Sequence, residues 1–486
     1  MDTVDVAIVG AGPTGLALAC ELRLAGIDCV VLERRVEEPN LTRAFAVHAR
    51  TLELLDARGL ADELVQRGIK VERVAPVPGA SLELTELPTR YPMVLIVAQS
   101  RTELMLEARA RQLGAEIVRG AEVVGLVQDA DGVRLSIDDA DGRRTVRASY
   151  VVGADGAHSA VRRLIGVDFV GRQYATHIML ADVRLERPPA ETLFGASTQE
   201  GLVLFVPFGD GWFRAISWDR SREEVPLDEP ITVEELRDSF RRIAGDDFGM
   251  GEPRWSTRFL SERRQAARYR VGRVFLAGDA AHVHSPVGGQ GMNTGIQDAM
   301  NLGWKLAAAL RGRAGPDLLD SYQAERHPVG ATVLRMTDGA YQLVMSRSKV
   351  GAAARRLAIR VLLRVPPAYR RLAGLLSGIG LRYDRPAGTH PWTGRRMPDR
   401  ETTDGRRVYE AMRGGSFVLV DATGSANADG WSDRVVTVRV PHRSGTPAVI
   451  LVRPDGYVAW AGDRPDPAEL RAALGRWCGP VAASAR

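Results

Sequence analysis

The 486-residue chain carries 65 Lys and Arg against 60 Asp and Glu, a net charge of +5, and 45% of it is hydrophobic. This composition is typical of a globular protein of two or three domains, and the lack of a basic block argues against a nucleic-acid partner. No charge-free stretch predicts a stable membrane association. The cysteines, Cys20, Cys29 and Cys478, form no Cys-x-x-Cys pair, so we expect reduced thiols in a cytoplasmic protein.

A dinucleotide-binding pattern lies near the N-terminus. Residues 4–9 are an apolar, β-branched run that predicts a buried parallel strand, and residues 16–22 predict a helix. Between them stand Gly10, Gly12 and Gly15, spaced as Gly-x-Gly-x-x-Gly. Glycines in this pattern allow a tight turn, close approach of a pyrophosphate, and close packing of the helix on the strand.

Further candidate cofactor contacts follow in chain order. A second predicted strand, 29–32, ends at Glu33, where an acid can accept a hydrogen bond from a ribose hydroxyl. Arg43 lies just beyond this strand and could contact a phosphate, although a solvated surface charge explains it equally well. Gln99 follows a later strand-like run, and Thr102 predicts the N-cap of a helix.

Two later stretches again pass from a buried strand through a glycine turn into a helix. The first contains Asp155 and Gly156, for which an ordinary turn is the alternative. The second contains Gly278 and Asp279, whose carboxylate can accept hydrogen bonds from a polyol. A glycine-rich loop then leads to a helix predicted to start near Asn293, where helix-terminal amides can face a delocalised anion.

A metal site is the main alternative for the second stretch. Asp279, His282 and His284 are suitable ligand types, but the segment offers no further acid or thiol to complete a site. We therefore predict no metal. His48 lies between the glycine pattern of residues 10–15 and the stretch that contains Asp155. It is predicted to be a loop histidine with satisfied hydrogen bonds.

The three stretches together resemble the motifs of the single-component, class A FAD monooxygenases that hydroxylate aromatic rings. Residues 10–15 resemble the ADP-binding motif, residues 150–162 the Asp-Gly motif shared by FAD and NAD(P)H, and Gly278-Asp279 the ribityl-binding motif. The sequence of residues 278–293 is similar to the corresponding sequence of the actinomycete enzymes that oxidise polyketides. These are the tetracycline, anthracycline and angucycline hydroxylases, with the rifampicin monooxygenases close to them.

The resemblance implies an α/β chain, α+β overall, in several domains. Residues 1–170 and 265–345 would form a discontinuous, Rossmann-like FAD-binding domain of the p-hydroxybenzoate hydroxylase type. Residues 171–264 would form a β-sheet substrate domain, 346–389 a helical linker, and 390–486 a thioredoxin-like domain. Without Cys-x-x-Cys, this last domain is not expected to carry out dithiol chemistry.

The resemblance also implies the site residues. Pro286, Gly288 and Gly289 are the predicted catalytic positions, as a loop that meets the flavin ring, and no side-chain base is identified. The predicted FAD-binding residues are Gly10, Gly12, Pro13, Thr14, Gly15, Glu33, Arg34, Arg43, Gln99, Asp155, Gly156, Gly278, Asp279, Pro286, Gly289, Gly291, Met292 and Asn293.

The implied reaction uses NAD(P)H and O2 to hydroxylate an aromatic polyketide or a related polycyclic phenol, through a C4a-hydroperoxyflavin. The ring is expected to move between a solvent-facing and a buried position, and Gly289→Val to crowd the buried one. Two alternatives stay open. One is Baeyer–Villiger or antibiotic-inactivating oxygenation on the same fold. The other is a non-catalytic, flavin-binding interaction protein. The chain is expected to be a monomer or homodimer.

Overall fold

The computed structural model describes residues 2–37, 44–77, 80–344, 357–464 and 466–481. Its first part alternates helices with strands of a parallel sheet and ends in a β-meander. In chain order its elements are β1 (Asp2–Val9), α1 (Pro13–Leu24), β2 (Cys29–Glu33), β3 (Ala46–His48), α2 (Ala49–Asp56), α3 (Ala61–Arg67), β4 (Ile69–Val71), β5 (Arg73–Val77), β6 (Ala80–Glu83), β7 (Val94–Ile96), α4 (Gln99–Gln112), β8 (Glu116–Arg119), β9 (Glu122–Gln128), β10 (Val133–Asp139), β11 (Gly142–Gly153) and α5 (Ala160–Leu164).

The middle of the chain is mainly antiparallel sheet, and the parts after it are mostly helical before a final small sheet. The elements are β12 (Phe169–Val183), β13 (Phe194–Ser197), β14 (Gly201–Pro207), β15 (Phe213–Asp219), α6 (Val233–Ala244), β16 (Trp255–Ala266), β17 (Arg270–Val271), β18 (Val274–Leu276), β19 (His282–Val283), α7 (Gly291–Leu310), α8 (Asp320–Val344), α9 (357–363), α10 (Pro366–Ser377), α11 (Val408–Ala411), β20 (Phe417–Asp421), β21 (Val435–Arg439), β22 (Val449–Val452), β23 (Val458–Gly462) and α12 (Pro467–Cys478).

The largest sheet carries the N-terminal glycine turn at its centre. Its strand order is β17-β18-β11-β1-β2-β8, and β1 pairs in parallel with both β2 and β11. Since parallel strands end at the same edge, the turns after β1, β2, β11 and β18 meet there. These four turns carry the dinucleotide motif, Glu33, the Asp-Gly motif and the Gly278-Asp279 motif, so the predicted fold class is confirmed.

A second sheet, with strand order β13-β14-β15-β12-β16-β19, covers this edge. Side chains along β12 alternate between its two faces. Ile178 and Leu180 belong to the core cluster that includes the cavity wall, whereas Met179 and Ala181 belong to the cluster under α6. Both faces of this strand are therefore buried, and residues 178–181 are apolar without an alternating polar face.

The C-terminal sheet has the order β21-β20-β22-β23, with β20 parallel to β21 and antiparallel to β22. Helix α12 packs beside it, and Trp304 and Leu318 of the first domain share its core cluster. This strand order is that of a small thioredoxin-like fold. It is docked on the rest of the chain through apolar contacts.

The thiol in this unit is enclosed. Cys478 is 3% exposed, and burial raises its pKa to about 12. A buried, protonated thiol is unreactive. We therefore expect Cys478→Ser to leave turnover unchanged in reducing and in oxidising buffer, measured as NAD(P)H oxidation. A redox-dependent loss of activity that disappears in this variant would contradict the prediction.

Two helix starts differ from those predicted. Helix α4 begins at Gln99, with Ala98 as its N-cap residue, and Thr102 is buried inside it without a partner for Oγ1, so the predicted cap is wrong. Helix α7 begins at Gly291, just before the predicted start near Asn293. Among the described residues, no helix is long and apolar enough to cross a membrane.

Candidate functional site

A cavity of about 1640 Å³ lies between the two large sheets. Its lining begins at the glycine turn after β1 and ends on the strands of the second sheet. Cavities that take a single drug-sized ligand measure about 300–1,000 Å³, so this one has room for a dinucleotide and a second molecule. Apart from Arg43, which is outside the described residues, most of the predicted site residues line it. These are Gly10, Gly12, Pro13, Thr14, Glu33, Arg34, Gln99, Asp155, Gly156, Asp279, Pro286, Gly288, Gly289, Gly291 and Met292.

The glycine turn leaves open space on one side and none on the other. A Cβ added to Gly12 would have no neighbour within 4 Å, and Gly12 lines the cavity as the N-cap residue of α1. A Cβ added to Gly15, in contrast, would collide with the Gly10 carbonyl oxygen. Gly15 thus serves helix–strand packing, whereas Gly12 leaves backbone accessible at a helix N-terminus. This cradle fits a pyrophosphate.

Glu33 lies at the end of β2 on the cavity wall, and both of its carboxylate oxygens are engaged. Oε2 accepts a hydrogen bond from Ala11 N at 2.8 Å, and Oε1 accepts from Arg35 N at 3.0 Å and Arg35 Nε at 2.9 Å. Burial acts to raise the pKa of Glu33, but these hydrogen bonds outweigh it and hold the pKa below its usual value. The ionised carboxylate keeps lone pairs for a ribose hydroxyl.

Removing the Glu33 carboxylate should weaken FAD binding. We expect Glu33→Ala to cost about 1–3 kcal/mol of FAD affinity, because a ribose acceptor is lost. Glu33→Gln retains an acceptor oxygen and should cost less. The measurement is titration of apoprotein with FAD, followed by flavin fluorescence. Equal affinities in wild type and Glu33→Ala would remove Glu33 from the cofactor site.

The other predicted contacts lie on the same wall. Arg34 is exposed at the rim of the cavity. Gln99 Oε1 accepts a hydrogen bond from Ala44 N at 2.9 Å, and Gln99 Nε2 donates to Glu103 Oε1 at 2.8 Å. Asp155 caps the backbone at Val161 N, at 3.1 Å, through one oxygen, while its second oxygen is buried without a partner.

The Gly278-Asp279 turn is held from beneath by a buried ion pair that the sequence analysis missed. Gly278 N donates to Asp298 Oδ2 at 3.0 Å, and His282 Nε2 lies 2.7 Å from the same oxygen. Arg326 Nε donates to Asp298 Oδ1 at 2.6 Å. Burial acts to raise the pKa of Asp298, but Arg326 and His282 outweigh it and lower that pKa. Asp279 is thereby left exposed in the cavity, where a polyol could bind.

His282 is thus a structural partner of Asp298. Among the described residues, no group of three or more His, Cys, Asp or Glu side chains could hold a metal ion.

The glycine-rich loop packs against strand β3. Asn293 Nδ2 donates to Ala46 O and to Gly289 O, both at 2.8 Å, and so lies behind the loop. A Cβ on Gly289 would lie 2.9 Å from the Ala46 Cβ. Gly289→Val would therefore strain packing against β3 as well as change the cavity, which makes it a poor test of the ring position alone.

His48 reaches this loop from β3, against its prediction as a plain loop histidine. Its Nε2 lies 2.8 Å from Gly288 O, and burial lowers its pKa to about 4. Its neighbour in the loop, Gln290, donates to Gly288 O at 3.2 Å and to Leu376 O at 3.0 Å. The sequence held no signal for these contacts, because they join residues 48, 288 and 376.

The buried neutral His48 should make stability depend on pH. In the unfolded chain it takes up a proton near pH 6.5, whereas in the folded chain it does so only near 4. The unfolded state therefore binds more protons between these values, and folding stability falls as the pH is lowered. At pH 5 we expect this histidine alone to cost about 2 kcal/mol relative to pH 7. Urea unfolding of wild type and His48→Gln at both pH values isolates this loss, which should be absent in the variant. Parallel pH profiles would contradict it.

The far end of the cavity is apolar. Leu180, Ile216 and Trp218, each 5% exposed or less, form its floor on the second sheet. Val287 of the glycine-rich loop and Leu376 of α10 also line it. Such a wall suits a flat, hydrophobic molecule.

Comparison with known proteins gives consistent results. Residues 3–337 match the family described as FAD binding domain, and residues 390–481 match the family described as aromatic-ring hydroxylase, C-terminal. A solved structure of the OxyS anhydrotetracycline hydroxylase from Streptomyces rimosus is 41% identical, with a TM-score of 0.87, over 99% of this chain and 100% of that one.

Two curated relatives span the same length. The rifampicin monooxygenase of Streptomyces venezuelae is 44% identical, with 99% of each chain covered. The dialkyldecalin synthase of Streptomyces rugosporus is 36% identical over 99% of this chain and 100% of the relative. The first name describes an oxygenation and the second does not, so overall similarity alone does not specify the substrate.

The glycine cradle, the acid at the end of β2 and the Gly278-Asp279 turn fit FAD, and the match of residues 3–337 to the FAD binding domain family agrees with this cofactor. The predicted recognition, cofactor and enzyme class are therefore confirmed. This chain belongs to the FAD-dependent aromatic-ring hydroxylase family of monooxygenases.

Proposed function

We propose that this enzyme uses NAD(P)H and O2 to hydroxylate an aromatic polyketide or a related polycyclic phenol. The observation that carries the substrate class is the apolar wall of Leu180, Ile216 and Trp218, in a cavity of about 1640 Å³ that exceeds the usual size for a single ligand. The oxygenase relatives support it, because their names specify anhydrotetracycline and rifampicin as substrates.

The residues divide the work along the cavity. The backbone at Gly12 and the N-terminus of α1 would bind the pyrophosphate, Glu33 would bind the ribose, and Asp279 would bind the ribityl hydroxyls. Arg34, Gln99 and Asp155 flank these groups. FAD supplies the hydride acceptance and the oxygen activation when it is bound.

The loop and the second sheet govern the reaction end. Residues 286–289 would approach the ring, and the first amides of α7, at Gly291 and Met292, would stabilise negative charge on it. The apolar wall orients the substrate ring and keeps water from the loop. The protein itself would contribute orientation and electrostatics, and it needs no nucleophile, because bound FAD would supply the oxygen chemistry.

The domain division predicted from the sequence remains part of this proposal. The FAD-binding and substrate domains contribute the cavity, and the thioredoxin-like domain supports them without redox chemistry. We further propose that the enzyme acts in the cytoplasm, as a monomer or a homodimer.

The experiment is NAD(P)H oxidation by FAD-loaded enzyme against a panel of polycyclic phenols and ansamycins, with anhydrotetracycline and rifampicin as first probes. We expect one class to stimulate oxidation and to gain one oxygen atom, seen by mass spectrometry. The position of that oxygen separates ring hydroxylation from Baeyer–Villiger insertion. Bound FAD without stimulated oxidation by any compound would favour the non-catalytic alternative.

A further inference from the structure

His48 is tied to the glycine-rich loop through both its ring and its backbone. It is 3% exposed, and its Nε2 lies 2.8 Å from Gly288 O. His48 N donates to Asn293 Oδ1 at 2.8 Å. Gln290 Nε2 lies 3.3 Å from the same ring nitrogen. Because Gly288 O is the nearer partner and a carbonyl oxygen only accepts, we assign the proton to Nε2 and the lone pair to Nδ1. Nδ1 is buried without a partner, which agrees with a neutral ring.

Side chains hold the carbonyl groups of two residues in this loop, Gly288 and Gly289. Gly288 O accepts from His48 and, at 3.2 Å, from Gln290 Nε2, while Gly289 O accepts from Asn293 Nδ2 at 2.8 Å. The two glycines have φ values of +84° and +61°. Glycine permits other backbone orientations at little cost, so these hydrogen bonds, more than sterics, fix where the carbonyls point.

The amides at the start of α7 are in the opposite situation. Gly291 and Met292 line the cavity, and the first amides of a helix have no acceptor within the helix. Because side chains hold the carbonyl groups of Gly288 and Gly289, the N–H groups that follow, which are the positive ends of the peptide dipoles, can face the cavity. A carbonyl released by loss of its partner would place partial negative charge there instead.

We propose that His48 is a positioning residue that keeps the Gly288 carbonyl turned away from the FAD ring, so that the loop favours the reduced, negatively charged ring over the oxidised one. The proposal rests on the proposed function, since it takes the ring to bind at residues 286–291. It assigns a role to a residue outside the three sequence motifs. His48 touches the loop and acts through it, with no part in proton transfer.

The test is the two-electron midpoint potential of bound FAD in His48→Leu, which fills similar space but has no donor. We expect oxidised FAD to bind nearly as in wild type, because the ADP-binding end is unchanged. Reduced FAD should bind about tenfold more weakly, which lowers the potential by about 30 mV. His48→Gln, whose amide can donate from nearly the same place, should restore the wild-type potential.

A matched control separates this effect from general loss of a buried histidine. His177 is 6% exposed, lies on β12, and does not line the cavity. His177→Leu should leave the potential unchanged. If His48→Leu does not fold, Gln290→Met removes the second donor to Gly288 O and should lower the potential in the same direction.

An unchanged potential in His48→Leu, or in Gln290→Met where His48→Leu does not fold, would overturn the proposal. So would a His48→Gln variant that behaves like His48→Leu. These readouts need no substrate. A shifted potential in a protein that oxidises no compound of the panel would keep the positioning role and reject the proposed function.

Discussion

Gly12→Val is expected to leave the apoprotein folded and to weaken FAD binding by about 100-fold or more, close to 3 kcal/mol. The added Cβ has no neighbour within 4 Å, and Gly12 has φ −79° and ψ 179°, which any residue adopts. The new side chain therefore stands in the cavity, in front of the amides at the start of α1. Its methyl groups would occupy the place of the pyrophosphate.

The measurement is the melting temperature of the apoprotein together with FAD affinity by fluorescence titration. Gly315→Val is the matched control, because a Cβ at Gly315 also has no neighbour within 4 Å but lies outside the cavity lining. It should change neither quantity. Gly15→Val should instead destabilise the apoprotein, because its side chain would collide with Gly10 O. Normal FAD affinity in Gly12→Val would move the pyrophosphate site elsewhere.

Arg453→Met should cost about 3–5 kcal/mol of stability, because it breaks a buried ion cluster between the C-terminal domain and α8. Arg453 donates to Glu325 at 2.6 and 2.8 Å and to Asp455 at 3.0 Å, and is 3% exposed. Lys305 Nζ also lies 2.7 Å from Glu325. Burial acts to raise the pKa of Glu325, but Arg453 and Lys305 outweigh it and keep the carboxylate ionised. Without the arginine, two buried carboxylates share too few partners.

Urea unfolding measures the loss. The matched control is Arg143→Met, whose pair with Asp138 has side chains 69% and 42% exposed. Exposed pairs contribute about 0–1 kcal/mol, so this variant should unfold almost like wild type. If Arg453→Met and Arg143→Met both lower the free energy of unfolding by an equally small amount, the ion cluster does not anchor the C-terminal domain.

The sequence could predict the parts of the site that are local in the chain. A strand, a glycine turn and a helix follow one another at residues 4–22, and Glu33 ends the next strand, so their chemistry can be derived from spacing alone. The Gly278-Asp279 turn is likewise recognisable from its own residues, although Asp298, which holds it, lies 20 residues farther along the chain.

Most of the features that the sequence could not predict depend on contacts between residues that are far apart in the chain. His48 meets Gly288 from 240 residues away, and Arg453 meets Glu325 from 128 residues away. The sequence could not show whether Leu180 or Met179 faces the cavity, since both are apolar and buried. Thr102 has the composition of a cap, yet the helix begins a turn earlier and buries it.

The most direct test of the central claim is the origin of the oxygen atom. The FAD-loaded enzyme is incubated with NAD(P)H, isotopically labelled O2 and the compound that most stimulates NAD(P)H oxidation. The mass of the product is then measured by mass spectrometry. Our account predicts that the product carries a single labelled oxygen and that one NAD(P)H is consumed for each coupled turnover. A product that contains oxygen only from water, or one that forms without NAD(P)H, would contradict it.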